Sequence, residues 1–106
     1  HGFLEQGNIF KTEQEAKDHW RAIKLIETIR RERYKAQGNW WPSVHEPMFS
    51  VCWDRLEHRI YATHKAWSSY AEVFGGWRYL AALIDIIEKH ESEFEWYFTK
   101  YLPSIN

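Results

Sequence analysis

Residues 12–38 read TEQEAKDHWRAIKLIETIRRERYKAQG, and this stretch decides the fold. Thr12 followed three residues later by Glu15 forms a capping box. The hydroxyl takes an orphan backbone N–H of the first turn, and the carboxylate reaches back to the cap. Apolar residues then recur at spacings of three and four, at Ala16, Trp20, Ile23, Ile26 (or Glu27) and Ile29. Such a rhythm lays one stripe along a helix. No proline interrupts before Pro42, and Gly38 suits the position just past a helix end. The pattern predicts a helix from Glu13 to Gln37, about 37 Å long at 1.5 Å per residue.

Working outward, Ile9-Phe10-Lys11 reads as a short strand before the helix. His1 and Gly2 read as a leftover tag or the cut end of a longer chain, and are left out of the argument. Phe3-Leu4 is too short for the apolar core of a signal peptide, so none is expected. After the helix, Asn39 to Pro47 is a loop carrying Trp40 and Trp41. Met48 to Trp53 alternates, with Phe49, Val51 and Trp53 on one face and Met48, Ser50 and Cys52 on the other. A turn at Asp54 to Glu57 and a second run from Arg59 to Lys65 complete an antiparallel hairpin. Ser68 and Ser69 precede a third extended piece, Tyr70 to Phe74.

Gly75-Gly76 breaks the chain before Trp77, Leu80, Ala81, Ile84 and Ile87, which follow helical spacing; Leu83 and Ile86 widen the stripe to two sides. Glu91 to Tyr101 reads as a final helix or an extended aromatic tail, ended by Pro103. Val73-Phe74 before the second helix echoes Ile9-Phe10 before the first, as a shared rhythm or a pseudo-repeat. The expected fold is one α+β domain over residues 3–102. A small antiparallel sheet of three to four strands packs against the long N-terminal helix and a second, C-terminal helix. Trp20, Ile23, Leu80, Ile84 and Ile87 are expected in the core against Phe49, Val51 and Trp53, with Trp77 also inside. Trp40, Trp41, Trp67 and Trp96 fall on loops and edges.

Composition limits the function. The chain has 106 residues, 44% hydrophobic and 27% charged, with a net charge of -1. Bulk charge therefore points neither to nucleic acid nor to an acidic membrane surface. No apolar run nears the roughly 20 residues that span a bilayer, and no membrane partner is expected. The single cysteine, Cys52, excludes an internal disulfide and a Cys-rich zinc site, and fits a reducing compartment.

Motifs of catalysis are missing from the sequence. His58 and His64 share a strand face but lie about 20 Å apart at 3.3 Å per residue, too far to hold one metal. His19, His45 and His90 fall in separate elements. Cys52 sits between apolar neighbours, where a thiol is usually inert. No nucleophile elbow, phosphate loop or dinucleotide fingerprint is present. Gly75-Gly76 reads as a turn, and Glu91, Glu93 and Glu95 as a solvated acidic run. The expectation is a non-enzyme without cofactor or metal.

Charge patterning is more informative. Arg30, Arg31, Arg33 and Lys35 cluster at the end of the long helix around Glu32, with Trp40 and Trp41 directly after. Cations there stabilise the helix dipole. Beside exposed rings they also suit phosphate contacts with base stacking, or a protein partner. Arg30, Arg31, Arg33, Lys35, Trp40 and Trp41 are the candidate binding residues. Asp85, Glu88, Glu91, Glu93 and Glu95 make the other end acidic, which would let copies pair head to tail as a homo-oligomer.

The run Gly7-Asn8-Ile9-Phe10-Lys11-Thr12-Glu13-Gln14-Glu15-Ala16 resembles a motif of uncharacterised phage and mobile-element proteins. In that group a Thr/Ser-x-x-Glu-Ala helix start leads to a long helix, a Trp-containing loop, an aromatic hairpin and a second strand–helix unit with a Tyr-rich end. Here those parts match Gly38-Asn39-Trp40-Trp41-Pro42, Met48 to Trp53, Val73-Phe74 through Ile87, and Trp96-Tyr97-Phe98. Gly76 and Leu80 depart from it, standing where the group has a capping Ser or Thr and a small Ala or Glu. The resemblance implies an accessory protein in a bacterial cytoplasm. It would bind and inhibit a host protein such as a CRISPR-type defence effector, with nucleic acid as the alternative partner.

Overall fold

The structure is a computed structural model that describes residues 12–43, 46–65 and 73–105. Helix α1 spans Glu13–Gln37, the limits that the capping box and Gly38 set. The Thr12 hydroxyl accepts from the Glu15 N–H at 3.1 Å. Gly38, at φ +64°, donates its N–H to the Tyr34 carbonyl at 2.7 Å. The hairpin follows as β1 (Met48–Asp54) and β2 (Arg59–Lys65), antiparallel, with Val51 opposite Ala62 and Trp53 opposite Ile60. The Asp54 carboxylate accepts from the Leu56 and Glu57 N–H groups and closes the turn.

Among the described residues the sheet has two strands, where three to four are expected. Residues 9–11 and 70–72, where further strands were expected, lie outside the described residues. Val73 and Phe74 form a turn. Beyond it Trp77 adds a single antiparallel bridge to Phe49, with N–H···O distances of 2.8 and 3.1 Å. The echo between Ile9-Phe10 and Val73-Phe74 falls partly outside the described residues.

Helices α2 (Leu80–Lys89) and α3 (Glu91–Trp96) come next. A π-helical turn, Tyr97–Tyr101, leads into α4 (Leu102–Ile105). The end of the chain is thus helical, and Pro103 lies inside α4 instead of ending it. A proline cannot donate to, and clashes with, the carbonyl four residues back, here Thr99. The wider turn just before it makes room.

The core gathers α1, the hairpin, α2 and the aromatic end. Trp77, Leu83 and Phe94 are fully buried, and Phe74 lies within 5.0 Å, ring to ring, of both Phe94 and Tyr97. Val51, Ile87 and Trp77 take inner positions as expected, and Ile60 joins them. Three other assignments are corrected. Trp20 is 59% exposed, and Leu80 and Ile84 are each 41% exposed. Helix α1 buries Ala16 and Ile29 of the expected stripe, and Ala22 and Leu25 in place of Trp20. At about 100° per residue, Trp20 lies some 160° around the helix from Ala22. Apolar residues occur on more than one side of this helix, so two stripes compete. The one containing the small Ala22 lets the neighbouring elements approach closely. In α2 the buried stripe is Leu83, Ile86 and Ile87, so the helix buries one side only.

Candidate functional site

The last turn of α1 is held by side chains that bond to backbone elsewhere. Gln37 is the centre of this clasp. Its amide nitrogen donates to the Gly76 carbonyl at 2.6 Å, and its amide oxygen accepts from the Arg78 N–H at 2.8 Å. Arg33 donates from Nη1 to the Gly75 carbonyl at 3.0 Å, and its guanidinium lies 4.8 Å from the centre of the Trp41 ring. Burial, then the neighbouring charge of Arg30, pushes the Arg33 pKa down, yet a guanidinium stays charged at any pH the protein meets. Met48 joins from β1, its sulfur accepting from the Gly76 N–H.

Gly76 fits here for two reasons. Its φ is +82°, and a Cβ on it would lie 2.2 Å from Cζ3 of Trp41. The indole ring therefore packs closely against bare backbone. Trp40 is covered more loosely, by Arg78 at 5.4 Å.

The six candidate residues thus divide. Arg33 and Trp41 are drawn into the clasp, and Trp40 lies beside it. Lys35 pairs with Glu32 at 3.2 Å, a bond that also holds the Glu32 carboxyl below its usual pKa. Arg30 and Arg31 are exposed and have no bonded partner among the described residues. Tyr34, which the sequence reading passed over, is 60% exposed. It lies one turn beyond both arginines, so the three share one convex face. Its position at i+4 from Arg30 and i+3 from Arg31 was the available signal.

The N-terminal half of α1 is anchored differently. Arg21 makes a two-pronged bond to Glu93, Nε to Oε1 at 3.0 Å and Nη2 to Oε2 at 2.5 Å, and lies 4.0 Å over the Trp96 ring. That bond holds the Glu93 carboxyl below, and the Arg21 guanidinium above, their ordinary pKa values. His19 Nδ1 meets the Tyr101 hydroxyl at 3.1 Å. Between α1 and α3 lies an open groove of about 450 Å³, lined by Lys17, Trp20, Arg21, Lys24, Leu25, Thr28, His90 and Glu93. The Nε2 of His90 is shielded from solvent with no hydrogen-bond partner among the described residues. This groove was legible in part: Lys17 and Lys24 stand three residues before and four after Trp20.

Two further hollows are present. One of 370 Å³ lies between α1 and α2 above Trp77, and one of 700 Å³ lies between the hairpin and the π turn, beside Cys52, Trp53 and Phe98. No cluster of three or more His, Cys, Asp or Glu suited to a metal occurs among the described residues. None of their helices is long and apolar enough to cross a membrane. Comparison with protein-family models, curated proteins and solved structures gave no match.

Proposed function

We propose that the protein is a non-enzymatic interaction module whose convex face at Arg30, Arg31 and Tyr34 docks a protein partner. The carrying observation is the division of labour at this helix end. Arg33, Gln37 and Trp41 fix the backbone to the Gly75–Arg78 segment, while Arg30, Arg31 and Tyr34 point outward. Arginine and tyrosine dominate the energetics of protein interfaces, and a rigid display lowers the entropy lost on docking. The face is convex, and the nearest indoles are already engaged, Trp41 with Gly76 and Arg33 and Trp40 with Arg78, which favours a protein over a nucleic-acid strand at this end. In the setting implied by the phage resemblance, the partner is an acidic surface of a bacterial host protein, with inhibition as the outcome.

The test is capture from bacterial lysate with nuclease present, followed by purified-partner titration. A single protein retained after nuclease, and weakened about 30-fold or more by Arg30→Ala with Tyr34→Ala, supports the reading. Retention unaffected by those changes, with the fold intact, rejects it.

A further inference from the structure

The groove between α1 and α3 has a chemistry that the convex face lacks. Trp20 stands on its rim with 59% of its surface exposed. Lys17 and Lys24 flank that ring on the same side of the helix, about 10 Å apart along its axis. Lys24 has no bonded partner among the described residues, and the contact of Lys17 with Glu13 is long, 3.8 Å between two exposed groups, where such pairs are weak. The one carboxylate in the groove, Glu93, is already neutralised by Arg21. The groove therefore offers positive charge on both sides of an uncovered indole.

We infer that this groove binds single-stranded nucleic acid, with one base stacked on Trp20 and the flanking phosphates at Lys17 and Lys24. A π face between cations is the arrangement that strand-binding grooves use: the ring takes any base, and the cations track the backbone. The volume of 450 Å³ lies in the range of small-molecule sites and accommodates one nucleotide of a strand that continues past both ends. A duplex fits poorly, because its bases are stacked on one another and cannot reach Trp20. An acidic peptide would answer the lysines but would leave the indole unused. The inference is independent of the convex face, which lies further along the same helix.

The experiment is fluorescence anisotropy of the whole chain with a labelled ten-nucleotide oligo-dT strand. AMP, a poly-glutamate peptide and an unlabelled duplex serve as competitors. The expected result is binding that weakens about sevenfold between 50 and 200 mM salt, as for two neutralised phosphates on a single strand. Trp20→Ala weakens it roughly tenfold, Trp20→Phe retains most of it, and Lys17→Ala with Lys24→Ala flattens the salt dependence. Arg30→Ala with Arg31→Ala leaves it unchanged, which separates this groove from the convex face. The inference is overturned by any of four results: no binding of oligo-dT, equal competition by AMP or poly-glutamate, indifference to Trp20→Ala, or loss confined to the Arg30 and Arg31 changes.

Discussion

Arg33 over Trp41 and Arg21 over Trp96 are the same kind of contact, at 4.8 and 4.0 Å, at opposite ends of α1. What each arginine does with its remaining donors differs. Arg33 bonds to a backbone carbonyl, and its partner ring is pressed on a glycine. Arg21 bonds to a carboxylate that is itself more than a third exposed. The first arrangement ties a helix side chain to the main chain of a distant segment. The second joins two long side chains through water-screened charge, which stabilises little. One end of the helix is thereby locked, with a convex face outside it. The other carries surface contacts beside an open groove. Counting cations or tryptophans along α1 does not separate these ends; the second partner of each arginine does.

The sharpest way to break the contrast is Gly76→Ala. The added methyl meets Trp41 at a backbone conformation that L residues rarely adopt. Strain and overpacking together should cost about 3–4 kcal/mol, read as a lower midpoint in urea unfolding. A cost below about 1 kcal/mol would show that Trp41 moves freely, and that the clasp is not tight.

Gln37→Ala removes the bonds to the Gly76 carbonyl and the Arg78 N–H, and should cost about 2 kcal/mol. Faster hydrogen exchange at Arg78 is expected alongside. If the exchange is unchanged, the amide contributes no restraint there.

The smallest effect belongs to the other end. The Arg21 bond holds Glu93 below its usual pKa of 4.5. Its stabilisation is therefore complete above pH 4.5 and is lost as pH falls through the lowered, folded-state value. With both partners exposed, the contribution should be under about 1 kcal/mol. Glu93→Gln should flatten the acid limb of the stability curve below pH 4.5 and change little at pH 7. An effect at pH 7 as large as that of Gln37→Ala would erase the distinction between the two ends.

Much of the frame was legible in local sequence. Thr12 with Glu15, and Gly38, gave both limits of α1, because caps act within a few residues. Alternation and the Asp54 turn gave the hairpin. The site was legible only in part. Arg30 and Arg31 are exposed, but Arg33 and Trp41 are engaged with the Gly75–Gly76 segment, and nothing near them in the chain announces those glycines, some forty residues away. Trp20 misleads because a large apolar residue on a helical stripe usually marks the core.

The sequence by itself determined where the helix and hairpin begin and end, since capping, turn chemistry and periodicity are short-range effects. Only the tertiary structure decided which of two apolar stripes on α1 faces inward, and which cations remain available. Those choices depend on the close approach allowed at Ala22 and Gly76 and on partners distant in the chain, and packing over such distances leaves no local pattern to read.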